Sequence, residues 1–303
     1  MKLFIHLCGD NLELAAAEAC EALQLKQVTR DGHYLLGASS RDDAMLGYSH
    51  AIYELLFSCP KKSLMKKARS FAWRKHFRGS LCVRSAHDEQ QLADIIHSSL
   101  GKPSVNLKKP GTLFRFFFGK KAYACRLIKE MPPCLPSTTT WPRFHPSSTN
   151  PRLARALVNL SGLQKGRILD PFCGIGTIPI EAGLHGLTAE GIDFSKKAVA
   201  SAKRNAKHFH SSATFQQGDG LKPRKADAIV SDLPFGKNSA FFGKRGNALY
   251  DEFLGSTKAR RVVVVLPCFN GRMPKVRMKG KTRYRIVERA HASLWRLIVV
   301  LDP

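Results

Sequence analysis

Apolar and polar positions change rhythm twice along the 303-residue chain. In residues 1–60 a strand-like apolar run at 3–7 precedes a helical stretch at 12–23, a strand-like patch at 33–36 and a second helical stretch at 42–57. Strand, helix, strand, helix in so short a span predicts a small α/β unit. Pro60 and the two lysines after it mark a boundary. Residues 61–131 predict a basic helical stretch, a strand at 81–84 and a helix over 89–100, where Leu92, Ile95, Ile96 and Leu100 recur at helical spacing. Further strands are predicted at 105–107, 113–118 and 122–128. Residues 132–149 carry Pro132, Pro133, Pro136, Pro142 and Pro146 among serines and threonines, the composition of a linker.

From residue 150 the rhythm becomes regular strand–helix alternation. Asn150-Pro151 sets a capping side chain before a proline at the first helical position, opening a helix that runs through Leu160. Strands at 167–170 and 188–193 each lead into a helix, at 177–184 and 195–207, and strands at 214–216 and 228–232 follow. This order predicts a mainly parallel sheet. Strands at 261–266, 284–288 and 295–301 complete it. The link at 291–294 is too short for a parallel crossover, so the last two strands should form an antiparallel hairpin. The predicted divisions are therefore 1–60, 61–131, a proline-rich linker at 132–149, and 150–303.

Composition narrows the class. Hydrophobic residues at 44% permit a sizeable core. No run of about eighteen apolar residues exists to span a membrane, and the first residues turn polar too soon for a secretory signal. A cytoplasmic location is expected. The formal net charge of +26 exceeds what solubility needs and implies a polyanionic partner. Residues 61–84 hold nine Lys or Arg and no acid, and residues 272–285 hold seven more, again with no acid. Counterion release from a phosphate backbone explains so one-sided a surface better than solvation alone. The stretch at 272–285 reads as a flap over substrate or a solvated loop. The eight cysteines include no CxxC pair and no His-rich partner pattern, so no structural metal is expected.

Two constellations carry chemistry. The first is Asp170-Pro171-Phe172-Cys173-Gly174-Ile175-Gly176-Thr177, in which a strand ends in an acid and glycines turn the backbone sharply into a helix. Asp193 ends the next strand at the spacing from which a carboxylate meets ribose hydroxyls. Asp219 follows the third strand and could accept from an adenine amine. No basic residue stands in the glycine turn, which disfavours a pyrophosphate cradle and suits a cationic sulfonium ligand. The second is Ser231-Asp232-Leu233-Pro234-Phe235-Gly236, the Asp/Asn-x-Pro-aromatic pattern of enzymes that methylate exocyclic amines. A guanine 2-amino group shares its lone pair with the ring and is a poor nucleophile. Accepting its hydrogens on the Asp232 carboxylate and the Leu233 carbonyl turns that lone pair toward a methyl carbon, and orientation supplies much of the rate. Pro234 fixes the backbone, and Phe235 offers a face on which an extruded base stacks.

These motifs, at 170–182 and 231–237, resemble those of the THUMP-domain tRNA guanosine N2-methyltransferases. The segment from Arg143-Phe144-His145-Pro146 through Asn150-Pro151 to Leu157 is similar to the one preceding their catalytic fold. Gly79-Ser80-Leu81-Cys82-Val83-Arg84 and Val105-Asn106-Leu107-Lys108-Lys109-Pro110 resemble parts of a THUMP domain. The fold class so implied is α/β: a Rossmann-like S-adenosylmethionine-dependent methyltransferase domain preceded by α+β ferredoxin-like (1–60) and THUMP (61–131) units. The resemblance implies S-adenosylmethionine held by Asp170, Phe172, Gly174, Gly176, Asp193 and Asp219, a target-base site of Asp232, Leu233, Pro234 and Phe235, and tRNA as the partner of a monomer. Leu233 and Phe235 depart from the Asp-Pro-Pro-Tyr form of relatives acting at tRNA position ten and are closer to those acting at position six. Residues 150–160 are more like the position-ten group, which tips the balance to position ten.

Three other readings stay open at this level. Cys268 follows an apolar strand, near where pyrimidine 5-position methyltransferases place a nucleophile. Duplex DNA adenine could be the amine acceptor. A relict fold could bind RNA without catalysis. Trp73, Trp141 and Trp295 read as packing anchors, although Trp73 could stack on RNA from inside its basic run.

Overall fold

The computed structural model describes residues 1–9, 11–222, 225–234, 247–269, 273–277, 280–291 and 294–303. They divide into two compact units, one of residues 1–12, 23–44 and 49–132, the other of residues 13–22, 45–48 and 133–303.

The chain begins with β1 (Lys2–Leu7), α1 (Leu12–Leu23), β2 (Lys26–Asp31), β3 (Tyr34–Ala38) and β4 (Ser49–Cys59). It continues with α2 (Leu64–Ser70), β5 (Leu81–Ser85), α3 (Glu89–Ser99), β6 (Thr112–Phe118) and β7 (Ala122–Glu130). The seven strands make one sheet in the order β2-β3-β1-β4-β7-β6-β5, so stretches 1–60 and 61–131 share a sheet through the β4–β7 pairing. The helical stretch expected at 42–57 is instead strand β4 from Ser49 onward. It is flanked by β1 and β7, both antiparallel, with Ala51, Ile52 and Tyr53 all buried. A strand covered on both faces reads as a continuous apolar run, which periodicity alone does not separate from a helix. The expected strand at 105–107 reduces to a single bridge between Leu81 and Val105. Strand β2 carries no apolar alternation because it is an exposed sheet edge. Trp73 is a packing anchor at 1% exposure, its Nε1 donating to the Ala68 carbonyl. Around it Lys61, Lys62, Lys66, Lys67, Arg69, Arg74, Lys75 and Arg78 remain exposed.

The second unit contains α4 (Pro151–Leu160), β8 (Arg167–Asp170), α5 (Thr177–Leu184), β9 (Thr188–Asp193), α6 (Lys196–His208) and β10 (Thr214–Gln217). It ends with β11 (Ala228–Asp232), α7 (Asn247–Ser256), β12 (Arg261–Phe269), β13 (Lys281–His291) and β14 (Leu294–Asp302). As its sequence predicts, Asn150 caps α4, accepting from the Arg152 N–H with Pro151 in the first turn. The sheet order is β10-β9-β8-β11-β12-β14-β13. The pairs from β10 to β12 are parallel, while β14 runs antiparallel to both β12 and β13. This is a Rossmann-like sheet closed by the expected terminal hairpin. Strand order reverses between β8 and β11, and the crevice beyond their carboxyl ends is where such sheets bind ligands. Asp170 and Asp232 are the last residues of those two strands.

Residues 13–22 and 45–48 are built into this second unit. Glu18 has no exposed surface and accepts from the Gly47 and Tyr48 N–H groups at 2.6 and 2.8 Å and from Asn159 Nδ2 at 2.7 Å. Glu21 pairs with Arg261 at 2.9 Å and Arg283 at 2.6 Å, so Arg283 of the basic stretch serves an ion pair. Within that stretch, Arg272, Met278 and Lys279 lie outside the described residues. No helix among the described residues is long and apolar enough to cross a membrane, and no group of three or more His, Cys, Asp or Glu among them could hold a metal ion.

Candidate active site

Beyond the carboxyl ends of β8, β9 and β11 lies a cavity of about 440 Å³, in the size range of cofactor sites. Of the residues singled out in the sequence, Asp170, Phe172, Gly174, Asp193, Asp232, Leu233 and Pro234 line it. Gly176 and Asp219 are not among the lining residues, and Phe235 lies outside the described residues.

The glycine turn is built for close approach. Gly174 adopts φ +52° with nothing within 4 Å of where a Cβ would stand, so its backbone borders open space. Gly176 adopts φ +92°, and a Cβ there would stand 2.9 Å from the Phe215 ring and 3.0 Å from Ala202 Cβ. The second glycine is thus required by packing against β10 and α6, and the first by the cavity. Asp193 braces the turn: Gly174 N–H donates to its Oδ2 at 2.9 Å and Ser195 N–H to its Oδ1 at 2.8 Å. Asp219 makes a local turn instead, accepting from the Leu221 N–H at 2.9 Å.

Asp170 is 2% exposed and accepts from Ser231 Oγ at 2.6 Å and from the Phe172 N–H at 3.1 Å. Burial pushes its carboxyl up to about 7 against those two donors, and the neighbouring Asp232 and Asp193 push it further in the same direction. Two neighbouring carboxylates thus act against the charged form of Asp170, and a bound cation would act in its favour. Asp232 is likewise raised by burial, with Arg296 and the Thr149 hydrogen bond opposing. Its Oδ2 accepts from Thr149 Oγ1 at 2.9 Å, whereas its Oδ1 is buried without a hydrogen-bond partner among the described residues. The backbone after it is braced too. Leu233 N–H donates to the Val265 carbonyl at 3.1 Å, and Tyr250 Oη donates to the Pro234 carbonyl at 3.1 Å.

The proline-rich segment read as a linker forms one wall of the cavity. Phe144, His145, Ser147, Ser148 and Thr149 all line it, as do Ser195 and Lys197 at the start of α6. Its likeness to the segment preceding a known catalytic fold was the available signal; its proline content pointed away from a functional role. Cys268 is placed elsewhere, in an apolar cluster with Leu297 and Val299. It is 3% exposed, and burial raises its thiol pKa, away from the thiolate that a covalent route needs.

Comparison with known proteins decides the family. Residues 140–293 match the family described as UPF0020, RMKL-like, methyltransferase domain. A Methanothermobacter thermautotrophicus protein named tRNA (guanine(10)-N2)-dimethyltransferase is 32% identical over 338 residues, covering 100% of this chain and 99% of that protein. The chain belongs to the archaeal-type tRNA guanosine N2-methyltransferase family. A Pyrococcus abyssi protein of the same name is 28% identical, with 99% of each chain covered. TrmN from Thermus thermophilus superposes over the full length of both chains with a TM-score of 0.51 at 20% identity, which speaks for the fold. In this member of the family, the glycine turn and residues Asp232 to Pro234 line one and the same cavity.

Proposed function

We propose that the protein transfers methyl groups from S-adenosylmethionine to the 2-amino group of guanosine ten in tRNA, and does so twice. One observation carries the reading: Asp232 lines the cavity that the glycine turn opens, and one of its carboxylate oxygens is buried without a hydrogen-bond partner among the described residues. The names of the full-length relatives support position ten and dimethylation over position six. The residues fit the cofactor, since acids without a cradle of basic residues suit a cationic ligand. Asp170 and Gly174 would line its methionine portion and Asp193 its ribose; Phe172 and Gly176 shape the turn, and Asp219 holds the loop after β10. The cofactor supplies an electrophilic methyl on a positively charged sulfur that leaves as a neutral thioether. Asp232 and the Leu233 carbonyl hold the amine hydrogens so that the nitrogen lone pair faces the methyl, and Asp232 takes the proton that the nitrogen loses as its new bond to carbon forms. Burial that raises the Asp232 carboxyl pKa makes it a better acceptor for that proton.

The exposed basic face around α2 belongs to residues 61–131, read as a THUMP domain that binds the acceptor end of tRNA. The enzyme would act as a monomer in the cytoplasm. Labelled methyl groups should pass to total tRNA and not to duplex DNA; the reverse would make this an adenine-directed enzyme.

The raised Asp170 carboxyl has a consequence for affinity. Below about pH 7 the group holds a proton that a cationic ligand must displace. Cofactor affinity is therefore expected to rise with pH up to about 7 and level off above it, with a limiting slope of roughly tenfold per pH unit below. Calorimetry across pH 5.5 to 8.5 measures this, and Asp170→Asn should flatten the curve.

A further inference from the structure

The segment before α4 supplies cavity wall that neither the cofactor residues nor the base motif accounts for. Within it Thr149 is 8% exposed and reaches across 83 positions of sequence to donate its hydroxyl hydrogen to Asp232 Oδ2. The start of α4 holds Thr149 in place: Asn150 caps the helix at once, and Arg152 Nε donates to the Gly47 carbonyl at 2.9 Å. The torsion that turns a carboxylate about its last bond is soft and roughly two-fold, so an unbraced carboxylate presents either oxygen over a wide range of angles. A fixed donor on one oxygen removes that freedom. The second oxygen, buried and without a partner among the described residues, is then held in one orientation.

We infer that Thr149 is a positioning residue for methyl transfer, its hydroxyl gripping one oxygen of Asp232 so that the other alone meets the guanosine amine. The inference rests on the guanosine-amine reading of the site. It also divides the labour at the amine. With Oδ2 taken, the side chain offers a single acceptor, Oδ1, and the second amine hydrogen falls to the Leu233 carbonyl, on a backbone held on either side by the Leu233 N–H bond to the Val265 carbonyl and the Tyr250 Oη bond to the Pro234 carbonyl. Both acceptors are thus set before substrate arrives, one by a threonine and one by those two bonds, so little of the binding energy is spent on ordering them.

The Thr149 hydrogen bond favours the ionised form of Asp232, together with Arg296; Glu288 on β13 opposes it. Asp170 and Tyr250 also face this carboxylate. Removing the hydroxyl leaves those four neighbours in place and takes away one stabilising donor, so the carboxyl pKa should rise.

The test compares Thr149→Val, which keeps the shape of the side chain, with Thr149→Ser, which keeps the hydroxyl. The full-length enzyme is assayed on unmodified tRNA transcript, with methylated nucleosides quantified. For Thr149→Val we expect kcat to fall about 10- to 100-fold, in the range set by loss of one charge-assisted hydrogen bond. KM for tRNA and the calorimetric Kd for S-adenosylmethionine should stay within about twofold of wild type. The acidic limb of the pH profile should move to higher pH, and Thr149→Ser should restore both rate and limb. A Thr149→Val enzyme with unchanged kcat and an unmoved limb would overturn the inference. So would Thr149→Ser failing as badly as Thr149→Val with a matching drop in melting temperature, because Thr149 would then act through packing. A wild-type enzyme that methylates tRNA at some nucleoside other than guanosine overturns the guanosine reading itself, and the inference with it.

Discussion

Replacing Asp232 with alanine should reduce methyl transfer to tRNA by about a thousandfold or more while leaving the calorimetric affinity for S-adenosylmethionine within a few-fold of wild type. The size follows from what the carboxylate is asked to do. Under the proposed function it would orient a weakly nucleophilic amine and accept its proton, and each of those contributions is commonly worth orders of magnitude in rate. The separation of rate from affinity follows from geometry. Asp232 ends β11 and touches none of the bonds of the glycine turn, which Asp193 braces after β8. Removing Asp232 also removes one of the charges that raise the Asp170 carboxyl, so cofactor affinity at neutral pH should change only slightly. Single-turnover rates and calorimetry on the same preparation distinguish this from a general collapse of the site, in which both would fall together.

Asp193→Ala is expected to act in the opposite order. Its two oxygens accept from Gly174 and Ser195 N–H groups, one on the glycine turn and one at the cap of α6. Loss of the carboxylate removes the brace on the glycine turn and, under the proposed function, the group that would meet the cofactor's ribose. Even one hydrogen bond to a charged group is worth roughly 1.5–3 kcal/mol net, so Kd should rise by at least about 10- to 150-fold. At saturating cofactor, kcat should recover to within about tenfold of wild type. Asp193→Asn, which keeps one acceptor, should lie between the two. A weakened kcat with unchanged Kd would instead put Asp193 among the residues that touch the acceptor.

How much of this was legible in the sequence depended on what each stretch was asked to bury. The strand–helix alternation from residue 150 onward could be read directly because its strands are short and turn residues and helix caps such as Asn150 and Ser195 mark the element boundaries. Asp170, Asp193 and Asp232 sit at strand ends for the same reason, and the structure brings all three to one cavity. Strand β4 was hidden because burial on both faces erases alternation. Helix α7 was missed because it follows a glycine-rich stretch that offers no clear start signal. Asp219 lies after β10, as its spacing indicates, and also holds a local turn through the Leu221 N–H, a bond that spacing does not foresee. Residues 13–22 belong to the second unit, where Glu18 and Glu21 meet partners more than 100 positions away, at Asn159, Arg261 and Arg283, which local sequence does not announce. Thr149 escaped notice for the related reason that proline and serine content describes a segment's backbone and says nothing of where one hydroxyl points.

The alternatives separate on the same structural facts. A pyrimidine route needs an accessible thiolate, and Cys268 is an apolar-core thiol. Non-catalytic RNA binding gives no reason for an acceptor oxygen to be buried unpartnered beside a cofactor-sized cavity, since such an atom costs about 1–3 kcal/mol unless a ligand satisfies it.

Mass spectrometry of nucleosides from a single tRNA transcript, incubated with the purified enzyme and S-adenosylmethionine and then mapped by nuclease digestion, addresses the central claim most directly. N2-methylguanosine appearing first and N2,N2-dimethylguanosine later, both at nucleotide ten, is the expected result. Label found on a pyrimidine ring carbon or on an adenine amine, with guanosine ten untouched, would contradict it.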